Sequence, residues 1–329
     1  MNCTSLRKPV AVLVLLGGLL PFVHAQTQTP APAWPTKPVK IVVTFPPGGA
    51  PDTLARVLAD KWTQALGQTF TVDNKPGAGG NIGADFVAKS AGDGSTLLIA
   101  TVGTHAINPA LYSAMPYNHI KDFTPVSFLA STPNLLVVNN AVPAKNVKEL
   151  IALAGKTPLT FGSSGSGTSI HLSGELFNTL AGVKMQHIPY KGRAQAVPDL
   201  LGGRITMIFD NMPSALPLVK SGDVRAIAVT SAKRSAAAPD IPTLAESGLP
   251  GFEASSWFAL MAPAGLPKEV LARINAETAR VMNLPDVRDK LTQLGLDVAP
   301  GSSEALASHI QTETTKWAKV VKESGAKLD

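Results

Sequence analysis

Apolar positions along this chain follow two periods in turn. Short apolar runs at 39–44, 69–73 and 96–101 read as buried strands. Between the first two, Leu54, Val57, Leu58, Trp62, Ala65 and Leu66 fall on one helical face, and Gly67 closes the helix. After the second comes the turn Asn74-Lys75-Pro76-Gly77-Ala78-Gly79-Gly80, then a helix to about residue 91. This βαβαβ order predicts a parallel sheet covered by helices.

A second such series follows. A helix at 146–154 precedes a strand at 159–162, and a helix at 168–181 presents Leu172, Leu176, Phe177 and Leu180. A strand at 184–188, a helix at 194–201 and strands at 205–209 and 225–230 complete it. Long extended apolar stretches at 126–139 and 254–262 flank this series, and only helices follow, at 267–282, 285–294 and 303–323. The pattern predicts an α/β chain of two domains crossed twice. Residues 36–134 and 257–329 form the first domain and 135–256 the second, with a cleft between them and the two crossing strands as hinge.

The N-terminus stands outside this pattern. Arg7 and Lys8 precede the apolar run 10–20, and Val23-His24-Ala25 supplies a small-residue exit, the plan of a secretory signal peptide cut after Ala25. The run is short of the roughly 20 apolar residues that span a bilayer. Cys3 lies before the run, not at the cleavage point, which argues against a lipid anchor. Residues 26–35, rich in Pro, Gln and Thr, read as a flexible leader. Cleavage removes the single cysteine, so the mature chain would hold its fold by its core without disulfides. Removing Arg7 and Lys8 lowers the formal charge from +6 to +4, and the remaining basic residues are scattered, so nucleic-acid binding is not indicated.

Four polar or glycine-rich loops follow predicted strands, where open α/β sheets bind ligands. The first is Phe45-Pro46-Pro47-Gly48-Gly49-Ala50-Pro51-Asp52, which opens a helix whose free N–H groups and dipole favour an anion. The others are Thr101-Val102-Gly103-Thr104-His105, Gly162-Ser163-Ser164-Gly165-Ser166-Gly167-Thr168, and Asp210-Asn211. Each half contributes two of these loops, and a cleft would bring them together. Asp52 either bonds N–H groups of its own helix start or meets a ligand ammonium or hydroxyl, and Asp210 faces the same choice. Thr168 either caps its helix or touches ligand. Lys191 offers positive charge at the cleft or is an exposed lysine at a helix start, and Tyr190 suits a cleft rim or a core.

Other chemistries match less well. The mature histidines, His105, His119, His171, His187 and His309, have no paired metal-ligand spacing. Leu150 stands where a phosphate-binding P-loop before Gly155-Lys156-Thr157 needs glycine, and Gly77-Ala78-Gly79-Gly80-Asn81-Ile82 lacks the third glycine of a dinucleotide fingerprint. A secreted serine hydrolase remains as an alternative, using Ser164 or Ser166 with a histidine, or His105 and Asp210 with a loop serine. The 162–166 segment is not G-x-S-x-G, and neither a catalytic residue, a cofactor nor a metal is expected.

The motifs together carry a resemblance. Phe45-Pro46-Pro47-Gly48-Gly49 with Asp52, the 74–83 turn, Thr104-His105-Ala106-Ile107-Asn108-Pro109, Gly165-Ser166-Gly167-Thr168 with His171, Pro189-Tyr190-Lys191-Gly192, Phe209-Asp210-Asn211 and Ala228-Val229-Thr230-Ser231 span the mature chain. In these the chain resembles the Bug receptors, periplasmic solute-binding proteins of tripartite tricarboxylate transporters. The resemblance implies two α/β domains closing like a Venus flytrap, of the type II-like periplasmic binding protein class. It implies a small carboxylate held by backbone N–H groups, small hydroxyls and water. By the same resemblance the ligand site takes Phe45, Gly48, Gly49, Ala50 and Asp52 from the first loop and Thr101 and Gly103 from the next. It takes Ser163, Ser164, Gly165, Ser166, Gly167 and Thr168 from the third and Asp210 from the fourth, with Tyr190, Lys191 and His171 as further candidates. The implied partners are membrane transporter subunits; a ligand sensor that contacts a membrane sensor kinase stands as a further alternative, and a monomer suits a diffusing periplasmic receptor. Position 51 is proline and position 163 serine, so the cargo does not transfer with the resemblance.

Overall fold

The computed structural model describes residues 34–326, together with 1, 2 and 4, and the predicted signal peptide with its cleavage point lies outside them. Strand β1 (Val39–Val43) pairs in parallel with β2 (Phe70–Asn74) and β3 (Thr96–Thr101), as the apolar runs predict. Helix α1 (Ala50–Leu66) connects β1 to β2 and buries Leu54, Leu58 and Trp62 against that sheet. Trp34, Trp62 and Phe70 pack with ring centroids 5.2–5.9 Å apart, sealing the sheet edge. A 3-10 turn, Ala78–Gly80, and α2 (Asn81–Ala88) connect β2 to β3, so this helix ends sooner than its periodicity predicts.

The segment after β3, expected as a loop, is helical. Gly103–Ile107 forms a π-helical turn that runs into α3 (Asn108–Leu111). Reciprocal bonds between Thr101 and Thr104 close it: each hydroxyl accepts the other residue's N–H, at 3.1 and 3.3 Å. The turn buries His105 completely, with Nδ1 2.9 Å from the Thr104 hydroxyl. Burial, with His119 nearby, holds the His105 imidazole down at about 3. A folded value below the unfolded one means stability that is complete above about pH 6.5 and lost as pH falls toward 3. His105 alone should therefore cost ~1.4 kcal/mol per pH unit over that window. Urea unfolding at pH 7 and pH 5 should show the decline in the wild type and a shallower one in His105→Gln.

Strand β4 (Phe123–Asn139) is the spine of the molecule. Its first part pairs antiparallel with β9 (Ser255–Pro263), which in turn pairs with β3. Its last part, from Asn134, pairs antiparallel with β7 (Met207–Asn211) and β8 (Val224–Val229). Beyond β7 lie β5 (Thr160–Ser163) and β6 (Gln186–Pro189), parallel as expected. The sheet order is β2-β1-β3-β9-β4-β7-β5-β6, with β8 and the short β10 (Asp297–Val298) also on β4. The chain thus passes outward along β4 and re-enters at Ser255, opposite Pro133. This is an α/β fold with one mixed sheet, in which two strands, β4 and β9, cross between the halves.

The second half carries α4 (Val147–Ala154), α5 (Ser169–Ala181), α6 (Arg193–Leu201) and α7 (Met212–Lys220). The hydrophobic pattern did not predict α7, which contains Pro213 and Pro217; Pro213 sits in the first turn, where its missing N–H costs nothing. Helices α8 (Lys268–Met282), α9 (Pro285–Gln293) and α10 (Ser303–Ser324) return to the first half. On α10, Glu313 accepts from the indole N–H groups of Trp257 and Trp317 at 3.0 and 2.9 Å. The same helix holds the π-helical turn, with the Thr314 hydroxyl donating to the His105 carbonyl.

Candidate functional site

The carboxyl ends of β1, β3, β5 and β7 converge, and four helix N-termini converge with them. At the first, Gly49 is the N-cap of α1 and Pro51 lies in its first turn. The N–H groups of Ala50 and Asp52 have no carbonyl one turn back inside the helix. At the second, Thr168 caps α5: its hydroxyl accepts the His171 N–H at 3.2 Å and donates to the Gly165 carbonyl at 2.8 Å. The first-turn N–H groups of Ser169 and Ile170 are left facing outward. Gly192 and Asn211 begin α6 and α7 in the same way. Each N-terminus carries partial positive charge, so their meeting makes an anion-favouring concavity.

Asp52 does not face this concavity. Its Oδ2 accepts from the Gly48 N–H at 3.0 Å and Arg56 Nε at 2.9 Å, and its Oδ1 from Arg56 Nη2 at 3.1 Å and Asn74 Nδ2 at 3.0 Å. Two oxygens with four donors leave no lone pair for a ligand. Burial would push this carboxyl up, but the bonds from Arg56, Gly48 and Asn74 outweigh it and hold it below the usual carboxylate range. Asn74 also donates to the Phe45 carbonyl at 2.9 Å. Asp52 therefore staples the Phe45–Gly48 loop to α1 and to the end of β2, and the placement corrects its expected contact with ligand.

Asp210 behaves differently. It is almost fully buried yet lines the concavity, with Arg193 Nε donating to Oδ2 at 2.6 Å and the Asn211 N–H to Oδ1 at 3.0 Å. Burial pushes its carboxyl up, against the pull of the Arg193 guanidinium. Arg193 Nη2 also donates to the Ser214 carbonyl at 2.6 Å. The pair supplies no net charge, so the helix N-termini decide the sign of the field. Below it, Asn134, Asn211, Ser169 and Ser256 form a hydrogen-bonded floor where the two crossing strands pass, with Asn211 Nδ2 2.6 Å from Asn134 Oδ1 and 2.7 Å from Ser256 Oγ.

The concavity is a cleft of about 140 Å³. That exceeds the roughly 10–15 Å³ a single water requires and suits a small organic ligand. Of the residues expected from sequence, Phe45, Gly48, Gly49, Thr101, Gly103, Ser164, Thr168 and Asp210 line it. Ala50, although at the helix start, is buried behind the wall. Gly165, Ser166, Tyr190 and Lys191 line an adjoining chamber instead. Asn211, named from sequence as part of its loop, and Ser169 also line it, whereas sequence reasoning missed Arg193, Ser214, Ser256 and Phe258 on the cleft wall. The run Lys191-Gly192-Arg193 before a helix was the one available signal for the arginine.

Ser163 and His171 lie behind the third loop. Ser163 is buried, 2.7 Å from His187 Nε2, and accepts the Gly165 N–H at 3.1 Å. His171 stacks on His187 with ring centroids 3.9 Å apart and takes the Gly167 N–H on Nδ1 at 3.3 Å. The two imidazoles thus hold the loop from beneath, and neither belongs to the cleft wall. The serine–histidine–aspartate arrangement weighed from sequence is not assembled: His105 is enclosed in its turn, Asp210 is held by Arg193, and the loop serine that meets an imidazole is the buried Ser163.

The two halves touch where side chains are absent. A Cβ on Gly103 would lie 2.9 Å from the Gly167 carbonyl oxygen, and one on Gly79 2.6 Å from the Ser166 carbonyl oxygen. A Cβ on Gly192 would lie 2.7 Å from the Pro46 ring. Gly167, at φ +82°, abuts the amide of Asn108, which is itself held by Asn81 at 2.7 Å and donates to the Gly79 carbonyl at 3.1 Å.

Comparison with known proteins gives a consistent result. The sequence profile of the family described as "Tripartite tricarboxylate transporter family receptor" matches residues 54–326. The chain is 37% identical over 331 aligned positions to Protein BugT of Bordetella pertussis, covering 100% of each chain. A solved structure described as "R. palustris Rpa4515 with adipate" superposes with a TM-score of 0.86 at 41% identity, covering 89% of this chain and 98% of that one. Another, "MatC (Rpa3494) from Rhodopseudomonas palustris with bound malate", gives a TM-score of 0.83 at 35% identity, covering 88% and 100%.

Proposed function

The chain belongs to the tripartite tricarboxylate transporter family of receptors, and from that premise we propose that it captures a small carboxylate in the cleft between its two halves. The observation that carries the reading is the meeting of four helix N-termini on a cleft whose one ion pair is internally neutral. Such a cleft gives a carboxylate charge-assisted hydrogen bonds from backbone N–H groups and hydroxyls, each roughly twice as strong as a neutral one. Those donors come from both halves: Gly49, Thr101 and Gly103 from one, Ser164, Ser169 and Ile170 from the other. Only the closed arrangement offers them all, so ligand shifts the population toward closure.

The related structures with adipate and malate support a carboxylate as ligand class. Under this reading residues 36–134 and 257–329 move as one domain and 135–256 as the other, with the Asn134–Ser256 floor as the bending point. The protein would be exported under its N-terminal leader, cut after Ala25, and act in the periplasm as a monomer. It would hand its ligand to membrane transporter subunits or, closed on ligand, signal to a membrane sensor kinase.

Calorimetric titration with malate, adipate and their dimethyl esters tests the reading. Free acids should bind at pH 7.5 and the esters at least about tenfold more weakly, since esterification removes the charge the N–H groups solvate. Equal affinity for acid and ester would overturn it, and turnover of the ester would return the serine hydrolase alternative.

A further inference from the structure

Beside the cleft lies a second chamber, of about 390 Å³, which shares Phe45 and Ser164 with it. The first half supplies Gly77–Gly80 and Tyr112, and the second supplies Ser164–Ser166 and Pro189–Lys191. It is therefore complete only while the two halves are together.

The chemistry of the two spaces differs. In the cleft, the formally charged groups Arg193 and Asp210 cancel. In the second chamber, the formally charged residue is Lys191. Its neighbour Tyr190 is engaged, the hydroxyl donating to Asp199 at 2.7 Å, whereas the Lys191 ammonium forms no ion pair among the described residues. The opposite wall is strained. Gly77, Ala78, Gly79 and Gly80 all have positive φ, at 126°, 49°, 62° and 96°, and Ala78 is the non-glycine residue among those described that does so. An alanine held there costs about 1–2 kcal/mol, the kind of strain that gathers at ligand sites. Glycine at 79 also lets the wall approach the Ser166 carbonyl and the Tyr112 hydroxyl.

We propose that the second chamber is a distal anion subsite, with Lys191 as its counter-charge, selecting ligands that carry a second anionic group beyond an apolar span. The inference rests on the carboxylate reading of the cleft. One carboxylate sits among the helix N-termini, the apolar span passes Phe45 and the Ser164 hydroxyl, and the second carboxylate reaches the ammonium. Short diacids leave Lys191 unmet, and monoacids of the same length leave the second chamber without an anion. Lys191 is thus the specificity-determining residue, and its effect should weaken with salt because it is exposed.

The test is the affinity ratio of a diacid to the monoacid of equal carbon number, adipate over hexanoate and suberate over octanoate, measured by calorimetry in wild type, Lys191→Gln and Lys191→Arg. The wild type should favour the diacids, and Lys191→Gln should reduce the ratio about fivefold, the upper end for an exposed ion pair. Hexanoate affinity should stay unchanged and Lys191→Arg should keep the ratio. A ratio untouched by Lys191→Gln, with carboxylates still bound, overturns the distal subsite alone. Binding of no carboxylate of any length overturns the parent reading and this one together. The surface position of Lys191 leaves the fold of either variant intact, which thermal melts check.

Discussion

Replacing Arg193 with methionine is expected to abolish carboxylate binding and to destabilise the protein, whereas replacing Asp210 with asparagine should tighten binding. The opposite signs follow from one ion pair. Methionine keeps most of the arginine's apolar stem but leaves the Asp210 carboxylate, 5% exposed, with the Asn211 N–H as its remaining partner. Removing one member of a buried pair typically costs about 3–5 kcal/mol. The orphaned charge also stands on the cleft wall. At ~5 Å and an effective dielectric of about 20 it repels a bound carboxylate by roughly 3 kcal/mol, a loss of more than about a hundredfold in affinity. Because burial already pushes the Asp210 carboxyl up, acidification should neutralise it and restore part of the affinity of the methionine variant. Asp210→Asn instead leaves an uncompensated guanidinium facing the ligand, and the double replacement should return to near wild-type binding. Calorimetry with malate or adipate at two pH values, beside urea melts, reads all three. Loss of affinity in both single variants would remove the electrostatic account.

The second large effect is expected from Gly167→Ala. A methyl group here meets two costs that can be told apart. The positive φ strains any L-residue by about 1–2 kcal/mol, with or without ligand, so it lowers stability and cancels from binding. The added Cβ also overlaps Asn108 Oδ1 across the seam, and Asn108 must leave its bonds to Asn81 and Gly79 to make room. Two net hydrogen bonds are worth about 1 kcal/mol each, and this cost falls on the closed state alone. Affinity should drop roughly thirtyfold or more, at about 1.4 kcal/mol per factor of ten. Gly182→Ala is the control: its φ of +65° imposes the same strain, but a Cβ there meets nothing within 4 Å, so it should lower stability and leave affinity alone. Asn108→Ala combined with Gly167→Ala should regain binding. Equal affinity in wild type and Gly167→Ala would show that the seam does not form on ligand capture.

Which parts of this were legible beforehand follows from how far each signal reaches along the chain. The strand and helix order was legible because burial imposes its period on five to twenty neighbouring positions, and even the long β4 announced itself as an apolar stretch. Elements shorter than their period were not: β10 has two residues, and the π-helical turn after β3 carries a glycine and threonines that read as a loop. The loops of the cleft were legible from glycine and proline placed after strands. The roles of the two aspartates were not, because each is settled by partners from elsewhere in the chain. Asp52 is claimed by Arg56 one helical turn on and by Asn74 at the end of another strand. Asp210 is claimed by Arg193, from a helix start marked locally by nothing more than the run Lys191-Gly192-Arg193. The same carboxylate beside a helix start thus became a staple in one half and a wall of the site in the other.

The place of β9 has a consequence for how the molecule is assembled in time. Its partners β3 and β4 are made early in the chain, yet β9 arrives only after every strand of the second half. Until then β3 has an open edge, and the N-terminal half is an unfinished sheet that cannot settle as an independent folding unit. Contacts so distant in sequence form slowly, because the loop-closure entropy must be met before the pairing compensates it. A chain that emerges N-terminus first therefore stays incompletely folded for most of its synthesis, the state in which a polypeptide can still be threaded through a narrow membrane channel.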